Sequence, residues 1–184
     1  MASHAARPPG SRRLSRSARP RRPRRVGRLA GPVLAVLIAV LLVAALWVGA
    51  DLRDAQAAAD DRQAATRAAG TYAVRLLSVG HRAVDADIER VLAASTGPAR
   101  TEYAGNAAEL KRTTVAGRLL RTGALRASAL VWLRGDTARV MVVGDELVRR
   151  DGSADAPRER FHRWNMEVTR TGAAWLVSAV EPVP

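Results

Sequence analysis

The chain has 184 residues, a formal net charge of +13, an isoelectric point near 11.7 and no cysteine. That length holds one domain of ordinary size plus appendages, and the lack of cysteine excludes disulfides, iron–sulfur clusters, thiol nucleophiles and thiolate zinc sites. Ten of the 30 basic residues lie in residues 1–30 with no acid among them, so the rest carries 20 bases against 17 acids, a net charge of only +3.

Residues 1–30 therefore read as a basic tail, kept extended and unfolded by Pro8, Pro9, Pro20 and Pro23. Residues 31–50 read as a transmembrane helix. From Val33 to Ala50 there are 18 residues without a charge, and a helix of that length spans roughly 27 Å, close to the hydrocarbon thickness of a bilayer. A soluble domain this small rarely buries a helix that is apolar on every face. Trp47 near the far end suits a membrane interface, and Asp51 just beyond it is the first acid in the sequence. Ten arginines before the span and mixed charge after it place the N-terminus in the cytoplasm and the rest of the chain outside the plasma membrane. The expected partners of the tail are anionic membrane lipids, at about 1 kcal/mol for each arginine near the surface. Nucleic acid is not expected, since aromatics are only 4% of the chain and base-stacking modules need exposed rings. Val48-Gly49-Ala50 has the small residues of a signal-peptidase site. The apolar run nevertheless exceeds the roughly 7–15 residues of a signal-peptide core, so an uncleaved anchor is the reading adopted.

Residues 51–70, "DLRDAQAAADDRQAATRAAG", are alanine-rich with almost no large apolar side chain. They are expected to form a helical stalk ended by Gly70, or a disordered linker, with nothing to bury against a core. Residues 71–184 read as an extracytoplasmic α+β domain. Tyr72, Leu76 and Val79 make one helical stripe; Val84, Ile88, Val91 and Leu92 make a second. Asp85, Asp87 and Glu89 cluster at the start of that second helix, where acids complement the N-terminal dipole. "STGP" at 95–98 stops one helix and starts the next, whose stripe is Tyr103, Ala107 and Leu110 before Thr113, Thr114 and Val115 weaken it. Strand signals follow around 124–134, 137–149, 159–170 and 173–180, with turns at Gly135-Asp136, Asp151-Gly152 and Thr171-Gly172. In the third strand His162, Trp164, Met166 and Val168 share one face. Helices first and antiparallel strands after predict about three helices packed on a curved sheet of about four strands.

Catalytic signals are weak. His81 and Asp85, four apart, would pair on a continuous helix, but one His with one acid and no nucleophile reads as a surface pair. "DADIE" at 85–89 has the odd-position acids of a calcium loop, yet its sixth and twelfth positions are Arg90 and Thr96 rather than Gly and Glu. No phosphate loop, His-x-x-x-His or serine elbow occurs in the sequence. The chain is expected not to be an enzyme and to hold no metal or cofactor. An isomerase or dehydratase on this fold would have to draw on His81, Asp85, Asp87, Tyr72 and Tyr103. A cone of helices on a bent sheet can also hold a small apolar ligand, with Trp132, Trp164 and Trp175 as the candidate lining, although strand tryptophans are more often simply core.

The chain resembles the Mce-associated membrane proteins of actinobacteria. The resemblance rests on the basic tail and anchor, "YAVRLLSVGHRAVDADIERVLAASTG" at 72–97, "EYA" at 102–104, "RWNMEVTR" at 163–170 and "WLVSAVEPV" at 175–183. It departs where such proteins often carry an acid and an aromatic after "STG", since this chain has Pro98-Ala99-Arg100. The resemblance implies a nuclear-transport-factor-two-like cone, no defined catalytic residues, and a role in steadying or assembling an Mce-type lipid import system through contact with its subunits. Those contacts are expected on the sheet face and at the terminal "AVEPVP", where a Pro-rich strand end cannot pair fully.

Overall fold

The structure, a computed structural model, describes residues 27–183; the unfolded tail expected for the first residues lies outside them, apart from its last few positions. The chain divides into two compact units, one ending at Gly49 and one running from Ala50 to Pro184.

The first helix, α1, is Gly27–Leu77 and carries Pro32 inside it, one turn beyond its start. Among the described residues it is the single helix long and apolar enough to cross a membrane, and none of the apolar window is buried by protein. Trp47 is 73% exposed there.

In the second unit α1 departs from the stalk expected for residues 51–70. Gly70 does not end it, and Ala65 and Ala69 are wholly buried, with Tyr72, Ala73 and Leu77 continuing the stripe. The expectation failed because a stripe of methyl groups is no less buriable than one of leucines. It only requires the helix to approach the sheet more closely. At Gly70 an added Cβ would stand 2.8 Å from Leu125 Cδ2, and at Gly123 in the first strand it would stand 2.4 Å from Leu77 Cβ. Glycine at 123 is a packing requirement, while Gly70 meets only the end of a flexible leucine side chain and the helix runs through it.

Helix α2, Val84–Ala93, buries Val84, Ile88 and Val91 as its periodicity predicts. Asp87, expected to sit at the helix start as a dipole partner, turns inward instead and accepts the Gly80 N–H at 2.8 Å. Helix α3, Gly97–Ala116, starts at Gly97 (φ +51°) with Pro98 in its first turn. The variant residues after "STG" dock firmly: Ala99 is buried and Arg100 donates to the Leu92 carbonyl at the end of α2. Tyr103, Ala107 and Leu110 pack on Val79, Val84 and Ile88. The helix runs through Thr113 and Thr114 because Thr113 Oγ1 bonds back to the Glu109 carbonyl at 3.0 Å and Thr114 is fully buried.

Strands β1 (Leu119–Arg134), β2 (Thr137–Arg150), β3 (Arg158–Thr171) and β4 (Ala174–Pro182) form one antiparallel sheet in that order. The ladder slips at Leu125/Ala127, Leu130/Trp132 and Glu167/Val168, and such bulges bend a sheet. Three helices on a curved four-stranded antiparallel sheet is the architecture the sequence predicts. β1 begins at Leu119, five residues earlier than its composition suggests, since Gly80 bridges Leu120 and holds that end in register. Ser95 bridges Val177 on the opposite margin, so both edge strands are partly covered. The turns at Gly135 (φ +55°) and Gly172 (φ +63°) are tight, whereas residues 151–157 form a longer loop than the Asp151-Gly152 turn expected. Ala138, Val140, Val142, Met166, Val168 and Val177 face the helices and are wholly buried.

Candidate functional site

Two features of the second unit offer chemistry or contact. The first is a cleft of about 250 Å³ framed by α1, α3 and the ends of β3 and β4. α1 contributes Tyr72 and Leu76, α3 contributes Ala99, Glu102, Tyr103 and Asn106, and the strands contribute Trp164, Val180 and Pro182. Trp164 reaches it because β3 alternates, placing His162, Trp164, Met166 and Val168 together on the helix side. His162 stacks on Trp164 with ring centroids 5.0 Å apart and planes 9° from parallel, so one indole face is taken. Burial, then Tyr103 and Glu102, push the Tyr72 phenol up to about 12. Burial and then Asp87 also raise Tyr103, against the opposing pull of Arg121. Both phenols stay protonated at neutral pH.

Behind the cleft lies a polar cluster inside the sheet's curve. The Glu146 side chain is 4% exposed, with Arg121 Nη1 at 3.6 Å and His162 Nε2 at 3.5 Å. Sequence reasoning missed Arg121 and Glu146. Arg121 falls before the strand start read from composition, and only the register, Glu146 opposite Gly123 on β1 and Arg160 on β3, brings the three groups together. The Tyr103 hydroxyl, Arg121 Nε and His162 Nε2 are buried without a hydrogen-bond partner.

The second feature is the sheet face turned away from the helices. Phe161 is 74% exposed there, and Met141 and Leu147 are also exposed. Arg163 stands opposite Val143, and Arg126 is ion-paired with Asp145, the residue opposite Phe161. Phe161 and Leu147 stand diagonally across the β2–β3 ladder, with Met141 further along β2, and make this face the candidate contact surface.

The residues singled out from sequence are distributed among these features. Trp164 lines the cleft. Trp175 lines a separate, shallower groove with Ala64, Ala68 and Ala94, and Arg170 lies over its ring at 5.2 Å. Trp132 lines neither; it sits on the outer face beneath Arg134 and Arg139, 5.4 and 5.9 Å from its centroid. His81 and Asp85 do not pair, because α2 starts only at Val84. His81 Nε2 meets Asp151 at 3.0 Å, which Arg82 also reaches at 2.7 Å, and Asp85 pairs with Lys111 at 2.7 Å. Those hydrogen bonds from Arg82 and His81 hold the Asp151 carboxyl below the usual carboxylate range. Asp87 is engaged by Arg90 as well as by Gly80. Of the residues named for an isomerase or dehydratase, Tyr72 and Tyr103 share the cleft with Trp164, while His81, Asp85 and Asp87 do not line it. Among the described residues, no three His, Asp or Glu side chains come together as a metal site would need.

Solved structures share this fold at low identity. An IcmL-like type IV secretion system protein from Legionella pneumophila aligns with a TM-score of 0.54 and 8% identity, covering 65% of this chain and 89% of that one. CagV, a VirB8 homologue of the type IV secretion system of Helicobacter pylori, aligns at 0.54 and 7%, covering 64% and 95%. An NTF2-like protein with a cystatin-like fold from Novosphingobium aromaticivorans aligns at 0.52 and 16%, covering 72% and 87%. These likenesses establish an NTF2-like fold. No curated protein matches the chain by sequence. The profile of a family described as "Uncharacterized protein Rv1363c/MT1408-like" matches residues 28–184.

Proposed function

We propose that this chain, which belongs to the Rv1363c/MT1408-like family, is a single-pass membrane protein whose outer domain is a non-catalytic accessory subunit of an envelope transport assembly. The finer reading is an Mce-type lipid import system, on the strength of the motif resemblance at 72–97, 163–170 and 175–183. The observation that carries the accessory role is the outer sheet face, where Phe161, Met141 and Leu147 remain exposed although the opposite face has a complete core. A soluble monomer gains nothing from a phenylalanine that is three-quarters in water; a subunit interface does. Support also comes from the fold's occurrence in proteins described as type IV secretion system components. The apolar span Val33–Ala50 would confine the domain to the membrane surface, where tethering raises its effective concentration toward membrane-bound partners. The arginine-rich flank favours an inward N-terminus.

The test is co-purification of Mce transporter subunits with the tagged full chain from detergent-solubilised membranes, coupled to deletion of its gene. Recovery of the subunits, with loss of subunit levels and lipid uptake on deletion, is expected. Unchanged subunit levels and unchanged uptake would overturn the proposal.

A further inference from the structure

We propose that the cleft between α1, α3 and the ends of β3 and β4 binds a small organic cation, an alkylammonium group of about the size of choline. The inference is independent of the accessory role. Three aromatic residues, Tyr72, Tyr103 and Trp164, line the cleft together with Leu76, Val180 and Pro182. Its single charged lining residue is Glu102, and no lysine or arginine lines it. A ring presents a negative face, so aromatic walls with one carboxylate at the rim attract a cation that carries its own apolar skin. An ammonium with several hydration partners gains less in such a site than a methylated one, whose charge is spread over methyl groups and which has few or no N–H groups to satisfy.

The neighbouring charges agree in sign. Glu102 acts on the Tyr72 phenol and Asp87 on the Tyr103 phenol, the latter opposed by Arg121, which Glu146 engages. An anion would enter facing Glu102 with no guanidinium in the lining. Size sets the remaining limit. About 250 Å³ corresponds to about eight waters at roughly 30 Å³ each. That holds a trimethylammonium head with a short polar arm. One face of the Trp164 indole is covered by His162, which fixes the ring and reduces the ordering cost when a ligand meets the other face.

The four tryptophans make the test clean, because Trp47 is in the apolar span, Trp132 on the outer sheet face, Trp175 in a different groove and Trp164 in the cleft. The full chain, labelled with 5-fluorotryptophan and held in phosphatidylglycerol nanodiscs, is titrated with choline and with 3,3-dimethylbutan-1-ol, its uncharged counterpart of nearly the same shape. The expected result is a saturable shift of the Trp164 resonance with choline, Trp47 and Trp132 unmoved, and affinity about tenfold weaker for the neutral alcohol. Glu102 is exposed, so Glu102→Gln keeps the fold and is expected to weaken choline about fivefold while leaving the alcohol unchanged. Tyr103→Phe, which keeps the ring, retains most of the affinity, whereas Tyr103→Leu loses it. Repeating the spectrum in phosphatidylcholine discs separates sources: a Trp164 resonance already shifted and relaxed by nothing but headgroup exchange assigns the cation to a lipid headgroup, and a shift only on adding choline assigns it to a free solute. Equal affinity for choline and the alcohol, indifference to Glu102→Gln, or the absence of a saturable Trp164 shift would each overturn the proposal.

Discussion

Gly123→Ala and Gly105→Ala are the same chemical change and should move stability in opposite directions. At Gly123 the new methyl carbon would lie 2.4 Å from Leu77 Cβ and 3.1 Å from the Val74 carbonyl. Carbon atoms in contact prefer roughly 3.5–4.0 Å, so the end of α1 must retreat by more than 1 Å. Leu77 is 4% exposed and its Cβ is fixed to the helix backbone, so no rotamer change relieves the clash. The same movement would stretch the bond from the Gly123 N–H to Ser78 Oγ, now 3.0 Å. Overpacking of this kind costs about 1–3 kcal/mol. For a unit of this size that corresponds to a fall in melting temperature of about 4–12 °C. Gly105 lies inside α3 with nothing within 4 Å of an added Cβ, so alanine there removes backbone entropy from the unfolded chain and stabilises by about 0.5–1 kcal/mol. Thermal unfolding of the full-length variants, followed by tryptophan fluorescence in one detergent, reads both. A Gly123→Ala protein that melts with the parent would show that α1 does not approach the sheet as closely as described.

The Asp151 carboxyl has a lowered pKa, so it contributes stability above the unfolded carboxylate pKa of about 3.9, and that contribution is lost as pH falls through the still lower folded value. The parent chain should therefore lose stability on acidification into that range, and Asp151→Asn should start lower at neutral pH and show a shallower loss; parallel pH profiles from urea unfolding would contradict this. Glu146→Ala strands Arg121 beside His162. A fully buried pair costs about 3–5 kcal/mol when one partner is removed, but the Arg121 side chain is 25% exposed, so about 2 kcal/mol is expected by denaturant unfolding. Phe161→Ser should leave the melting temperature within about 1 °C, since the ring is already 74% exposed, yet abolish co-purification of transporter subunits; unimpaired co-purification would remove the outer face from the interface. Protease added to intact spheroplasts should cut the chain beyond Asp51, and full protection of that portion would reverse the proposed orientation.

What was legible in the sequence was whatever depends on periodicity. The stripe of Val84, Ile88 and Val91 and the alternation through His162, Trp164, Met166 and Val168 appear in the structure as read. Both patterns state which residues share a face, and burial follows from that. What was not legible depends on distance between elements. Alanines at 65 and 69 look like solvent-facing helix filler because their side chains are short; they are core because the helix lies close on the buried side chains of the sheet. The Arg121–Glu146–His162 cluster was equally hidden. The alternation places His162 on the helix-facing side, but Arg121 and Glu146 carry no such signal, and only the register places a carboxylate between two bases. Asp87 misled for a related reason: acids in a first turn usually face water, but the loop at Gly80 returns its N–H to that side chain.

The small-residue seam and the cleft are two consequences of one packing choice. The end of α1 lies against β1 and β2 at Gly123 and Gly144, where a Cβ at Gly144 would stand 3.1 Å from both Leu77 Cδ1 and the Ala124 carbonyl. A helix drawn that close leaves no room for a cavity along the seam. On the same buried face of that helix, Tyr72 and Leu76 are large and line the cleft beside Ala99 of α3 and Val180 of β4. The close seam thus fixes where the aromatic side chains of α1 stand, and the cleft is what remains between them and Trp164. Enlarging the seam should therefore reshape the cleft without touching any of its lining. In Gly123→Ala, the retreat of α1 is expected to move the Trp164 fluorine resonance in the unligated protein while Trp132, across the sheet, stays in place. A Trp164 resonance that ignores this substitution, in a variant whose melting temperature has fallen, would separate the seam from the cleft and undo the connection.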